Sequence, residues 1–343
     1  MSIELARMGL VDPAPLPFSP EWAVAKDHGP GADGQPAIPD IDQARPQEGL
    51  SWTSSLPLAD HYGHASAGVR IRTLAFGRGL SSLGSAAGAR RELAITRRIG
   101  SSLPRPLVVG FISAKGGTGC TTAAAGVALG LSAARSDRTA MLGCTLSDQS
   151  LAWRLGCRES APNALEVLRS EAAETPLHTV PSGLAFAEGA PAVRPLSADE
   201  LDLVIDRVSS EYSVTVLDVG VGGPSVWRAL LERAGTLVVV TDDTAVSLHA
   251  TSTLLAQMGT RTASAWRDRV LLTVTETHRR GINRAAMRRF AASNDLRKVR
   301  HRRTFQMPYD RVMALGEPLV IDKITADLRW RYLELAAEIV APE

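Results

Sequence analysis

The chain has 343 residues, 45% hydrophobic and only 5% aromatic, with a formal net charge of +2. That size and apolar content exclude a wholly disordered chain and a small disulfide-stapled scaffold, and the near-zero charge excludes binding of polyanions through the overall field. The three cysteines, Cys120, Cys144 and Cys157, lack metal-ligand spacing. With no apolar run of about 18 residues and no secretory leader pattern, the chain reads as a cytoplasmic protein of a reducing compartment with no transmembrane segment.

Residues 1–65 hold nine of the twenty prolines, and up to Asp60 there are nine acidic and three basic residues. Such a stretch cannot bury enough surface to offset its ordering entropy, so it is predicted to be a disordered acidic tail. Trp22 and Trp52 in it are either incidental or anchors for a protein partner. Residues 66–105 reverse the charge. "VRIRTLAFGRGL" and "GARRELAITRRIG" carry seven arginines and one glutamate. The second segment predicts a short amphipathic helix with Leu93, Ile95 and Ile99 on one side. Two readings stay open for this connector: a helix packed on the main domain, or a basic arm for acidic lipid, nucleic acid or a partner.

Residues 106–343 show regular alternation. "LVVGFIS" is a continuous apolar run, as in a strand covered on both faces. "TTAAAGVALGLSAARS" follows as an Ala-rich helix, and "TAMLGC" as a second strand. "SLAWRLG" and "NALEVLRSE" read as helical, and "LHTVPSGLAFAEG" as a strand with a turn. "ADELDLVIDRVSSEY" is a helix with Ser197 as its N-cap. "SVTVLDVG", "GTLVVVTDD" and "RVLLTVTE" are strands separated by the helices "VWRALLERA" and "AVSLHATSTLLAQM". "NRAAMRRFAAS" and "ITADLRWRYLELAAEIV" supply the last helices. Strands alternating with helices predict an α/β domain, a mostly parallel doubly wound sheet with helices on both faces.

Between the first strand and its helix lies "AKGGTGCTT", residues 114–122. Gly116, Gly117 and Gly119 leave backbone N–H groups open to phosphate oxygens, and the following helix adds its positive end. The segment resembles the deviant Walker A loop of the ParA/MinD family, K-G-G-x-G-K-[ST]-[ST], at seven of eight positions. The resemblance runs from about residue 106 to 340. It implies a P-loop NTPase fold of the SIMIBI class, with ATP and Mg²⁺ as cofactors. In its terms Gly116, Gly117, Thr118, Gly119, Cys120, Thr121 and Thr122 cradle the phosphates. Lys115 is the family's early lysine, which reaches the partner's phosphates across a homodimer. Thr121 and Asp218, at the end of "SVTVLDVG", are the implied Mg²⁺ positions. "QMPYDRVMALGEPL" resembles the family's loop beside the base, placing Pro308, Tyr309 and Asp310 near the nucleotide.

Three departures bear on chemistry. Cys120 stands where the family has its phosphate-contacting lysine. Gly143 and Thr145 stand where the family has Asp-x-Asp, with Asp148 three residues late. Thr275 stands at a base-reading asparagine. Phosphoryl transfer depends on positioned charge, so these losses predict weak or absent hydrolysis. An active ATPase in which Lys115 covers for the missing lysine is the alternative, as in plasmid partitioning or positioning at a cell pole or division site. Cys120 admits two readings: a small residue tolerated at a helix start, or a thiol made reactive by the helix end and close to Cys144.

Residues 261–311 hold fourteen Lys/Arg and four Asp/Glu, densest at "RKVRHRR". The stretch is either a solvated face, a surface for nonspecific DNA, or a dock for an acidic segment. A Pro-rich tail ahead of such a domain also resembles proteins found with type VII secretion systems, and degenerate relatives localise pili. A non-enzymatic scaffold therefore stands as a further alternative.

Overall fold

The computed structural model describes residues 86–144, 150–157, 159–189, 196–222, 224–261, 269–279, 283–292 and 304–340. The tail predicted over residues 1–65 lies outside the described residues, as does the start of the basic connector.

The chain forms an eight-stranded sheet with the order β3-β4-β2-β5-β1-β6-β7-β8. The strands are β1 Leu107–Ser113, β2 Thr139–Gly143, β3 His178–Thr179, β4 Ala185–Ala187, β5 Val214–Gly220, β6 Thr236–Asp242, β7 Val270–Thr275 and β8 Thr304–Met307. Every pairing is parallel except the antiparallel β3–β4 hairpin at one edge. The order reverses at β1, which pairs with β5 on one side and β6 on the other. Open α/β sheets place ligands outside the carboxyl ends of strands at such a switch point.

β1 is apolar up to Ser113 because both of its faces are covered. Val109 and Phe111 enter one core, and Val108 and Ile112 enter the other. The first core lies under α1 (Ala86–Ile99), α2 (Cys120–Ala134) and α10 (Ala326–Val340). The second lies under α5 (Ala198–Ser209), α6 (Pro224–Arg233), α7 (Ala245–Arg261) and α8 (Arg284–Ala292). Shorter helices complete the chain: α3 (Ser150–Arg154), α4 (Ala164–Arg169) and α9 (Arg311–Ala314). Ser197 caps α5 as its sequence predicts, accepting from Glu200 N at 3.2 Å, while the Glu200 side chain returns to Ser197 N at 2.9 Å.

The predicted amphipathic helix is α1, and it packs on the domain. Ile95 and Ile99 are buried, whereas Leu93 stays exposed. Its arginines reach back to α10: Arg91 to Glu334 at 2.5 Å and Arg98 to Glu338 at 3.1 Å. The end of α1 is held by buried Arg135, which donates to the carbonyls of Ile99 and Ser101 and pairs with Asp137.

Candidate phosphate-binding site

The loop between β1 and α2 sits at the switch point. Gly117 and Gly119 hold φ values of 80° and 85°, the left-handed region that favours glycine. Gly119 is the N-cap of α2 and supplies no side-chain cap. The first amides of α2 are therefore left for a ligand, and the helix end favours an anion there. Lys115, Gly116 and Gly117 are exposed, and Thr118 is buried. Lys115 Nζ lies 3.9 Å from Asp242 Oδ2 at the end of β6. Asp242 is itself held by Thr244 N at 2.9 Å, by the Thr244 hydroxyl and by Ser247 Oγ at 2.7 Å.

Asp218 lies on β5, the neighbour of β1 on its other side, 1% exposed. Burial pushes its carboxyl up to about 6, with Glu188 adding to the rise, while hydrogen bonds from Thr121 and Cys120 pull it down. Its Oδ1 is buried without a hydrogen-bond partner, an acceptor position that water or a hydrated cation fits. Thr121, Cys120 and Asp218 thus lie together. The reading of Cys120 as a thiol activated by the helix end is corrected. Burial, then the Asp218 charge, push both the Cys120 and Cys144 thiols up.

Of the positions where the resemblance expects an aspartate, Gly143 is described, and a side chain there has no room. Gly143 is in register with Asp218 across β2 and β5. A Cβ on Gly143 would stand 2.4 Å from Gly189 N and 2.9 Å from Glu188 C, so backbone fills the space a side chain needs. Thr145 and Asp148 lie outside the described residues. A carboxylate that sequence reasoning missed is nearby: Glu188, 5% exposed. It accepts from Leu151 N at 3.3 Å and from Ala152 N, holding the start of α3. Burial raises its carboxyl, against those backbone bonds and one from Gly189. No sequence signal marks Glu188, since the backbone it holds lies about 36 residues away.

Thr275 Oγ1 donates to the Thr118 carbonyl at 2.7 Å and lies 3.2 Å from the Thr241 carbonyl. Thr275, where the resemblance expects an asparagine, is therefore a strut under the loop. Beside it a cavity of about 300 Å³ opens between the loop, the end of β7 and the segment after β8. Thr122, Pro308, Tyr309, Asp310 and Tyr332 line it with Gly117 and Gly119. Asp310 is buried and already occupied, accepting from Val312 N at 2.9 Å, Met313 N at 3.2 Å and Thr325 N at 2.8 Å. Glu276, on the same wall, is the cavity's other acidic side chain.

Of the basic stretch, "RKVRHRR" at 297–303 lies outside the described residues. Arg284, Arg288 and Arg289 are exposed on α8. Arg269 is structural, donating to the carbonyls of Ala234 at 2.7 Å and Leu231 at 3.0 Å at the end of α6. Among the described residues no helix is long and apolar enough to cross a membrane.

A doubly wound parallel sheet, a glycine loop leading from the switch-point strand into a helix, and a buried Asp beside that loop define a P-loop-type α/β domain. No protein-family model and no curated protein matches the sequence. Solved structures do. The fold is similar to a ParA family ATPase from Chlorobium tepidum TLS, at 16% identity over 68% of this chain and 98% of that one, with TM-score 0.51. It is similar to the MinD cell division protein of Aquifex aeolicus, at 16% identity over 67% and 95%, with TM-score 0.50. The MinC:MinD complex of that organism matches at 17% over 67% and 94%, with TM-score 0.50. The chain has the ParA/MinD fold.

Proposed function

We propose that this protein is a ParA/MinD-like ATP-binding regulatory or positioning factor that holds nucleotide and hydrolyses it weakly or not at all. One observation carries the reading. The glycine cradle opens on a ligand-sized cavity, while backbone fills the space beside Gly143 where a water-activating carboxylate would stand.

In this reading the amides of Gly116, Gly117 and Gly119 and the first turn of α2 bind the phosphates. Thr122 faces the same cavity, and Pro308 and Tyr309 flank the base. Mg²⁺ would supply charge neutralisation at the phosphates. Thr121 and the unpartnered Oδ1 of Asp218 would hold it through its water shell. Among the described residues no cluster of three His, Cys, Asp or Glu forms a metal cage. That fits Mg²⁺ held largely by phosphate and water. Asp218 would have to release its proton to hold the cation. Cys120 is neutral at the lysine position and donates to Asp218, so it brings no charge to the transferring phosphate.

Lys115 is exposed at the rim, with Val221 and Val246 exposed after the ends of β5 and β6. A face-to-face homodimer would cover these residues and give Lys115 the partner's phosphates as ligand. The exposed arginines of α8 would serve DNA, and the acidic tail a protein partner.

Calorimetric titration with ATP, ADP and GTP, with and without Mg²⁺, tests the binding half. A phosphate-release assay tests the other. Saturable ATP binding with negligible phosphate release is expected. Turnover equal to that of ordinary ATPases of this fold, and abolished in Asp218→Ala, would overturn the degenerate reading.

A further inference from the structure

Away from the phosphate loop, with β4, β2 and β5 between it and β1, the β3 edge carries a second set of reactive side chains. Cys157 follows α3, its backbone N donating to the Ala152 carbonyl at 2.9 Å. Its half-buried Sγ lies 3.2 Å from Nε2 of His178 on β3 and 3.5 Å from the Glu159 carbonyl. The other ring nitrogen of His178, Nδ1, lies 3.8 Å from Glu159 Oε2. The imidazole packs edge-on against Phe186, its register partner on β4, with centroids 5.5 Å apart and planes at 71°. That contact holds the ring with one nitrogen toward the thiol and the other toward the carboxylate. A nucleophile, a base within hydrogen-bond reach and a carboxylate beside the base form the arrangement by which thiols are activated.

The other two cysteines provide the contrast. Cys120 and Cys144 are buried at 7% and 8% exposure beside the Asp218 carboxylate, and neither has an imidazole partner among its described contacts. Exchange with a small disulfide needs a proton acceptor for the thiol and access to the sulfur, and of the three cysteines only Cys157 combines them.

We propose that Cys157, with His178 as its base and Glu159 holding the imidazolium, is a nucleophilic thiol that forms mixed disulfides with low-molecular-weight disulfides. His178 Nε2 takes the Sγ proton, and the thiolate attacks one sulfur of the disulfide. The new S–S bond to Cys157 forms as the reagent's S–S bond breaks. The departing thiolate takes the proton from Nε2 and leaves as a thiol. Cys157 is oxidised and the released half is reduced. Excess small thiol reverses the exchange by the same path.

The test uses the full native chain with glutathione disulfide, followed by peptide mapping of all three cysteines. Cys157 is expected to be modified first, roughly tenfold faster than a free cysteine thiol under the same conditions. Cys120 and Cys144 are expected to react only after unfolding in urea. His178→Gln, which keeps polarity but cannot take the proton, should slow Cys157 by about tenfold, and Glu159→Gln by about two- to threefold. A native Cys157 no faster than free cysteine overturns the proposal without any variant. So does an unchanged rate in folded His178→Gln.

Discussion

Thr275 donates its hydroxyl to the Thr118 carbonyl at 2.7 Å, tying the last residue of β7 to the phosphate loop 157 positions earlier in the chain. Thr275→Val keeps the shape and removes the donor. Loss of one such bond costs about 1 kcal/mol of stability, and the freed carbonyl loosens the loop. Urea unfolding should show that modest loss, and calorimetry a larger proportional loss of ATP affinity. Unchanged affinity with reduced stability would mean that the strut does not set the loop.

A carboxylate at position 143 should not be tolerated. Gly143→Asp places a side chain where Gly189 N stands 2.4 Å from the Cβ position, and a backbone atom cannot swing aside as a side chain can. The substitution is expected to cost about 3 kcal/mol or more, by overpacking and by burying a charge. Denaturant midpoints measure this. A stable Gly143→Asp protein that releases phosphate would show that the 188–189 segment yields easily.

Asp218 predicts a pH signature. Burial holds its carboxyl at about 6 in the folded chain, against an ordinary 3.8. Between those values the folded chain binds more protons than the unfolded chain, so stability falls as pH rises through the window and levels off above it. The raised carboxyl costs the folded state on the order of 3 kcal/mol once ionised. Asp218→Asn removes that titration. Urea midpoints from about pH 4 to about pH 7 should therefore fall more in the wild type than in the variant. A steeper fall in the variant would contradict the raised carboxyl.

Helix α1 should behave as part of the folded domain. Glu338 is 3% exposed and faces Arg98, which is 25% exposed. Arg98→Ala takes the guanidinium from a buried carboxylate. The cost is expected to be about 1–3 kcal/mol, below that of a fully buried pair because Arg98 is partly solvated. A double-mutant cycle with Glu338→Gln measures the coupling. Zero coupling would make the pair incidental.

The sequence made the frame legible because the frame is local. The apolar run of β1, the Ser197 cap of α5 and the loop "AKGGTGCTT" each carry their cause within a few residues. Asp218 was legible only through the resemblance of "SVTVLDVG" to the family's strand, since an acid near a strand end is ordinarily a turn residue. What escaped reading is what the fold brings from far away. Glu188 holds α3 from about 36 positions downstream, and Arg91 and Arg98 find glutamates more than 200 residues on. Gly143 looks like a lost aspartate in sequence, and only the packing shows that backbone has taken the space. The sequence leaves two readings of Cys120 open, an inert small residue or a reactive thiol, and burial, a tertiary property, decides between them.

Gly126 on α2 couples the core to the cavity. A Cβ there would stand 2.5 Å from ring atoms of Tyr332, a buried residue of α10 whose ring also borders the cavity. Gly126→Ala has two opposed effects. Alanine favours the helix by roughly 1 kcal/mol over glycine. The collision forces the ring to shift, at a cost of about 1–3 kcal/mol in a close-packed interior. The collision should win, because the ring is rigid and Tyr332 is only 2% exposed. The way out for the ring is toward the cavity, so ATP affinity should fall more than stability does. Gly126→Ala with Tyr332→Leu relieves the clash with a smaller side chain and should recover much of the stability. If the single variant binds ATP as tightly as the wild type, the ring has moved elsewhere and the cavity is not governed from α2.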